Sequence, residues 1–440
     1  MNLSQWLEYL EQCHPSTIEL GLDRIKQVAD KLPISFDRSK VITVAGTNGK
    51  GSTVTMLASI LGEAGFSTCC YTSPHLIHYN ERVKLGDRLA TDEELCDSFA
   101  AVEAMRDDVQ LTYFEFGTLA AFQIFSSYQP DYIILEIGLG GRLDAVNIVD
   151  PDLAILTNVA LDHMDWLGDT REKIGFEKAG IFRAGKPALI GEKDIPQTVL
   201  DQAATIGAIV FANGQQFNAE PDTQSLPEKP ATWSWQGKDD KGESRFLQAL
   251  PQNDFPLDNC AAVVQAISLL EPTIDAGQIA SGLLHASLPG RFQQVNRGYP
   301  LILDVAHNPH AAKRLASQIA LRFPEQQVHL VLAMLADKNY REVVDIFQVL
   351  KPNWYVAGIE EERGLNGKTL YNYLHESGTS EVNCYSSISE AFNAAESAVI
   401  AGVKANGKAQ SKEGLMENSN NGVVLVTGSF FTVTAVLELI

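Results

Sequence analysis

The chain has 440 residues, more than one hydrophobic core usually organises, so two or three domains are expected. Apolar residues make up 45% and charged residues 20%, a globular balance. A net charge of -21 excludes a nucleic-acid binder, whose basic face must displace counterions, so any phosphate site has to be built locally.

The opening MNLSQWLEYLEQCHPST has neither the basic start nor the apolar core of a secretory leader, and no apolar run approaches the roughly 20 residues that span a bilayer. A soluble cytoplasmic protein without membrane or nucleic-acid partners is expected. Cys13, Cys69, Cys70, Cys96, Cys260 and Cys384 form no CxxC pair, which favours reduced thiols over a zinc module or disulfide framework.

Residues 41 to 45 (VITVA) predict a short buried strand, then a glycine-rich turn and the helix STVTMLASILGEAG closed by Gly65. Further buried strands are predicted at Ser67 to Tyr71, Tyr132 to Ile137, Leu153 to Asn158 and Ala188 to Ile190, which makes this part α/β with a mostly parallel sheet. Residues 213 to 256 read as a β-rich excursion or a long surface loop. Helices at 258 to 270 and 275 to 286 lead to LPGRFQ, whose Pro289 and Gly290 set a boundary between domains at 1–288 and 289–440. Beyond it, strands and helices alternate again in a Rossmann-like rhythm, from PLILDV to TVTAVLELI. The small and polar stretch 402–422 reads as a mobile insertion.

The loop AGTNGKGST, Ala45 to Thr53, joins a buried strand to a helix N-terminus, where free N–H groups and the helix dipole converge on one spot. Lys50 adds a cation, and Ser52 or Thr53 a hydroxyl. The spacing departs from GxxxxGK[ST], and a tight glycine turn with a solvated lysine is the bland alternative. In DYIILEIGLGGRLDAVN, Glu136 ends a strand where a carboxylate can reach a metal at the phosphates, or be a hydrogen-bonded core-edge glutamate. Leu143 stands where GxGxxG requires glycine, so a nicotinamide site is rejected. His163 follows the next strand and is taken either as a ligand or as a structural histidine. Lys178, in the predominantly apolar turn FEKAGIFRAGKP, is costly to bury unless paired or modified. In LDVAHNPHAA, Asp304, His307 and Asn308 cluster at a strand end, though Asn308 also reads as a helix cap. Arg291 at the domain boundary either reaches bound phosphate or bridges two surfaces.

Taken in order, GTNGKGS, TSPHL, NERV, TYFEFGT, LEIGLGGRLDAVN, LDHMDWLG, EKAGIFR, LPGRFQ, DVAHNPHAA and TGSF resemble the bifunctional dihydrofolate synthase/folylpolyglutamate synthase family, relatives of the Mur peptidoglycan ligases. The resemblance implies a P-loop Mur-ligase-like ATPase domain followed by a Rossmann-like ligase domain. By it, Thr47, Asn48, Gly49, Lys50, Gly51 and Ser52, with Asn259, Arg291 and Asp304, contact ATP. Ser73, Glu136 and His163 ligate magnesium, and Lys178 is a carbamylated lysine able to hold a second ion. Two magnesium ions and a monovalent cation are implied. The pterin side falls on Glu19, Leu20, Gly21 and Leu22, on Thr112, Tyr113, Phe114 and Glu115, and on Leu143, Asp144 and Ala145. Lys50, Lys178 and His307 are the implied catalytic groups.

The implied reaction is phosphorylation of a substrate carboxylate by ATP, then attack by the amine of L-glutamate, with dihydropteroate and reduced folates as acceptors and the enzyme acting as a monomer. A Mur-type ligase for a cell-wall precursor is the alternative that TYFEFGT and ELGLDRI weigh against. A slow P-loop switch leaves the second α/β domain unexplained.

Overall fold

In the computed structural model the apolar run after Lys40 is strand β1 (Lys40–Ala45), buried at every residue past the first, as a strand covered on both faces must be. It lies in a sheet with β2 (Thr68–Tyr71), β3 (Val83–Leu85), β4 (Arg88–Leu89), β5 (Tyr132–Glu136), β6 (Leu153–Leu156), β7 (Pro187–Ile190) and β8 (Ile209–Ala212). The order is β4-β3-β2-β5-β1-β6-β7-β8, parallel except for the antiparallel pairs β2/β3 and β3/β4 at one edge. The chain leaves β1 toward β2 on one side, while β6, β7 and β8 extend on the other. The carboxyl end of β1 is thus a point of strand-order reversal, where open α/β sheets place ligands.

The helices of this part are α1 (Leu3–Gln12), α2 (Asp23–Ala29), α3 (Lys50–Glu63), α4 (Asp92–Met105), α5 (Tyr113–Tyr128), α6 (Met164–Leu167), α7 (Arg171–Ala179) and α8 (Gln197–Ile206). Lys178 therefore stands in the last turn of a helix, not in a turn: Thr170 caps α7 and starts a helical run that the sequence reading had passed over. The excursion is a three-stranded antiparallel sheet of β9 (Asn218–Pro221), β10 (Thr232–Lys238) and β11 (Ser244–Pro251), with buried Trp233 and Trp235. Helices α9 (Leu257–Leu270) and α10 (Ala276–His285) follow. Gln265 of α9, fully buried, fastens the small sheet by accepting from Lys238 N at 3.2 Å and donating to Lys238 O at 2.8 Å.

Contacts divide the chain into two units, Met1–Ser287 and Leu288–Ile440, and the structure describes residues 1–14, 18–222, 231–379, 381–407 and 422–440. The second unit holds β12 (Gln293–Asn296), β13 (Pro300–Leu303), α11 (Pro309–Arg322), β14 (Val328–Leu332), α12 (Tyr340–Gln348), β15 (Asn353–Val356), α13 (Gly367–Glu376), β16 (Val382–Cys384), α14 (Ile388–Gly407), β17 (Val423–Thr427) and α15 (Phe430–Leu437). Its sheet runs β12-β13-β17-β14-β15-β16, parallel except for β12. Ile302, Leu330, Val356 and Leu425 pack there against Leu315, Ile319 and Phe347 in one buried cluster. Residues 402–407, assigned from sequence to an insertion, instead continue α14; 408–421 lie outside the described residues. Among the described residues no helix is long and apolar enough to cross a membrane.

Candidate active site

The glycine-rich loop leaves β1 through Gly46 and enters α3 through Gly49, whose φ of +81° is left-handed. A Cβ on Gly49 would stand 2.0 Å from Asn259 Nδ2, so glycine is required here by space as well as by conformation. No side chain caps α3, and its first backbone bond is Thr53 N to Gly49 O at 3.0 Å, which leaves the opening N–H groups to an outside acceptor. The loop is held from the end of β6. Thr47 N donates to Asn158 O at 3.0 Å, Asn48 N donates to Asn158 Oδ1 at 3.0 Å, and Thr157 Oγ1 and Asn158 Nδ2 each donate to Asn48 O at 2.8 Å. Asn259 Nδ2 donates to Gly49 O at 3.2 Å from α9.

Two lysines meet beneath this loop. Lys50 Nζ donates to Gly46 O at 3.1 Å, and Lys178 Nζ donates to the same oxygen at 3.0 Å. Lys178 is 4% exposed, and burial first, then the charge of Lys50, pushes its amine down to about 7. Asp162 and Asp144 pull it the other way. Burial pushes the Asp144 carboxyl up to about 7, against bonds accepted from Leu139 N at 2.7 Å and Val146 N at 3.0 Å. An amine near 7 is about half uncharged at neutral pH and so can act as a nucleophile.

Glu136 ends β5, is 5% exposed and accepts from Ser73 N at 3.2 Å, so these two predicted metal-site residues are brought together. His163 is exposed at the start of α6, with a left-handed φ of 51°. Among the described residues no three His, Cys, Asp or Glu side chains form a metal-holding group. The proposed set does not need one, because only Glu136 and His163 are of those types. A buried carboxylate bonded to the Ser73 backbone, level with Val44 on the strand that leads into the glycine-rich loop, suits a hard cation that keeps part of its hydration.

The three pterin-side segments also converge. Gly21 N donates to Leu143 O at 3.2 Å, and Arg24 donates to Glu115 Oε1 at 3.2 Å while also pairing with Glu19. Thr112 and Glu115 form the capping box of α5, with Thr112 N to Glu115 Oε2 at 2.8 Å, so the Glu115 carboxylate is committed to the fold. Tyr113, Phe114, Leu20, Leu22 and Leu143 are half-buried, and the Phe114 ring lies where a Cβ on Gly138 would fall, at 2.5 Å. Asp144 and Ala145 are buried.

Sequence reasoning assigned no role to two arginines here. Arg24 stands in ELGLDRI, but its partner Glu115 is 91 residues away, a distance that no local pattern reports. Arg82 stands in NERV, is 9% exposed, and donates from Nε to His75 Nδ1 at 2.8 Å. Burial, then the charge of Arg82, pushes His75 down to about 4, so its ring is neutral and can accept.

In the second unit, Asp304 follows β13 and accepts from Phe292 N at 2.8 Å and Ala306 N at 2.9 Å, one bond to each oxygen. That carboxylate braces the loop around Arg291. The Arg291 guanidinium lies 5.0 Å from the centre of the Phe430 ring, and the His307 ring lies 6.3 Å from it, so one aromatic ring gathers both residues. His307 Nδ1 faces Val305 O at 2.9 Å. His307 sits in the loop before α11, and Asn308 caps that helix by accepting from Ala311 N at 3.0 Å.

The model for the Mur ligase middle domain matches residues 44–226, and that for the Mur ligase, glutamate ligase domain matches residues 290–430. The dihydrofolate synthase/folylpolyglutamate synthase of Escherichia coli (strain K12) is 40% identical over 438 residues, covering 100% of this chain and 95% of that protein. The fold matches E. coli FolC in complex with DHPP and ADP at a TM-score of 0.88 and 39% identity, over 100% of this chain and 97% of that one. It matches a bifunctional folylpolyglutamate synthase/dihydrofolate synthase with Mn, AMPPNP and L-glutamate bound at 0.86 and 41%, over 100% and 98%.

Proposed function

The chain belongs to the dihydrofolate synthase/folylpolyglutamate synthase family of Mur ligases, and from that premise we propose how its residues divide the work. It is an ATP-dependent carbon-nitrogen ligase that joins L-glutamate to dihydropteroate, forming dihydrofolate, and to reduced folates, forming polyglutamates. A carboxylate oxygen of the acceptor attacks the γ-phosphorus of ATP, and ADP leaves. The glutamate amine then attacks the acyl carbon, a tetrahedral intermediate collapses, and phosphate leaves.

In this reading residues 1–288 bind ATP and the pterin substrate, and 289–440 form the ligase domain. The N–H groups opening α3, with Thr47, Asn48, Gly49, Gly51 and Ser52, cradle the phosphates, and Lys50 turns from Gly46 O to the transferring group. Asn259 keeps the loop in place through Gly49 O. Ser73, Glu136 and His163 hold one magnesium ion and a carbamylated Lys178 a second, and these ions neutralise charge on the phosphates. A neutral Lys178 amine adds to carbon dioxide with loss of a proton, so the depressed pKa supports this modification. Arg291 offers a cation to the nucleotide and Asp304 sets its loop. His307 takes a proton from the glutamate amine. The half-buried residues of 20–22, 113–114 and 143 receive the pterin.

The observation that carries this reading is the meeting of Lys50 and Lys178 on Gly46 O at the uncapped start of α3. The test supplies ATP, magnesium, L-glutamate and either dihydropteroate or a reduced folate. Mass spectrometry should find an acceptor one glutamyl unit heavier, with ADP and phosphate formed in equal amount. ATP hydrolysis without a glutamylated product overturns it. The proposal extends to a monomer working in the cytoplasm, consistent with six free cysteines, of which Cys69, Cys70 and Cys260 are buried.

A further inference from the structure

Arg82 is buried, and its nearest neighbours among the described residues are aromatic rings rather than carboxylates. Its guanidinium carbon lies 5.4 Å from the centre of the Tyr79 ring and 5.7 Å from that of Tyr113, with the Tyr71 hydroxyl also beside it. Its side-chain hydrogen bonds among the described residues go to His75 Nδ1 at 2.8 Å and to the Tyr71 hydroxyl, neither of which is an anionic partner of the carboxylate type. The adjacent carboxylate, Glu81, is taken by the N–H groups of Leu76, Ile77 and His78 at 2.7, 2.9 and 2.7 Å. Among the described residues no carboxylate forms an ion pair with Arg82. A guanidinium stays charged at every working pH, and ring faces hold it more weakly than an anion does. A cation this buried calls for a counter-ion.

Its surroundings select the anion. Tyr113 belongs to the first-substrate segment 112–115, while His75 lies two residues beyond Ser73, which bonds Glu136 at the metal end. Arg82 thus touches the pterin-side segment through Tyr113 and the loop that carries Ser73 through His75, a place that falls along the aminobenzoyl and glutamyl part of the acceptor in the site assigned above. Dihydropteroate presents one carboxylate, and the phosphoryl transfer uses it. A folate presents a second, the α-carboxylate of its glutamyl group, which remains ionised throughout and needs a local cation in a chain of net charge -21.

We propose that Arg82 holds the α-carboxylate of the glutamyl group that folates carry and dihydropteroate lacks, and so sets the balance between the two ligations. This rests on the first-substrate site assigned above. The experiment measures kcat/KM of wild type, Arg82→Lys and Arg82→Gln with tetrahydrofolate and with dihydropteroate. It also measures binding of tetrahydrofolate and its α-carboxamide. In Arg82→Gln the folate-to-dihydropteroate ratio of kcat/KM should fall about 10-fold to 100-fold, the span of a lost hydrogen bond to a charged group. Arg82→Lys should fall between. Wild type should prefer tetrahydrofolate over the α-carboxamide by a similar factor, and Arg82→Gln should lose that preference. Because each comparison is made within one variant, partial unfolding cancels. An unchanged ratio, or an α-carboxamide preference that survives in Arg82→Gln, overturns the assignment. A wild-type chain that ligates neither substrate overturns the functional reading along with it.

Discussion

Lys50 and Lys178 donate to one acceptor, the carbonyl oxygen of Gly46, from 3.1 and 3.0 Å. Two cations on one carbonyl repel each other, which is part of why the buried Lys178 amine titrates so low. The arrangement leaves Lys50, the less buried of the two, as the one that can swing to a phosphate.

Replacing Lys50 with alanine is expected to remove roughly 3 kcal/mol or more of transition-state stabilisation from both ligations, the size of a deleted preorganised charge contact. The fold should survive, as the loop keeps its bonds to Asn158 and Asn259. Steady-state kinetics with both acceptors are the check: if either ligation is spared, the two do not share one phosphoryl-transfer centre.

If Lys178 carries the proposed carbamate, Lys178→Ala is expected to be inactive and to recover turnover when short carboxylic acids are added, since they supply the carboxylate that the variant lacks. Exhaustive removal of carbon dioxide should lower wild-type activity for the same reason. Intact-mass or crystallographic analysis of active enzyme showing an unmodified amine would end this idea.

Asp144 ties stability to pH. Burial raises its carboxyl from the ordinary aspartate value to about 7, so the folded chain retains a proton that the unfolded chain has released. Wild type should therefore lose stability relative to Asp144→Asn as pH climbs from about 4 to about 7, and this group should add nothing further above that. Urea unfolding of both proteins across the window tests this. A difference independent of pH would mean that the carboxyl titrates normally.

Gly49→Ala should weaken nucleotide binding for two separable reasons, the left-handed backbone, at about 1–2 kcal/mol, and the collision with Asn259. Asn259→Ser removes the collision together with the bond to Gly49 O, so the single Asn259→Ser variant is the reference: adding Gly49→Ala to it should weaken ATP binding less than Gly49→Ala weakens the wild type. Calorimetric titration of wild type, both single variants and the double variant decides it; equal losses would show that crowding by Asn259 is not what requires glycine.

His307 points Nδ1 at the Val305 carbonyl, which can only accept, so a neutral ring carries its proton there and leaves Nε2 as the nitrogen able to accept one, as the proposed base role requires. His307→Ala should depress glutamate-dependent turnover more than ATP affinity. An unchanged rate at saturating glutamate would reduce the residue to a loop support.

The sheet of the first unit could be read from the chain because its central strands are buried on both faces and appear as unbroken apolar runs such as YIILE and LAIL. The phosphate loop was legible for a related reason: glycines between a strand and a helix leave few other conformations. What stayed hidden depends on pairs distant in sequence. The bond from Arg24 to Glu115, the convergence of Lys50 and Lys178, and the dual bond of Asp304 to its own loop each join groups whose meeting is a product of folding. The excursion at 213 to 256 was undecided because its clear alternation is confined to short stretches such as TWSWQ amid Gln, Asp and Pro, and its order comes from Trp233 and Trp235 packing inward.

That excursion is the part a protein engineer would cut first, since it lies outside the large sheet and carries no proposed substrate contact. The attachment through Gln265 argues for leaving it. Helix α9 presents Gln265 to Lys238 and, nearly two turns earlier, Asn259 to the nucleotide loop, so one rigid rod is seated at both places. Excision would strand a buried amide with no partner and loosen the seating of the rod, and the damage would surface as weaker ATP binding in a part of the chain the deletion never touched.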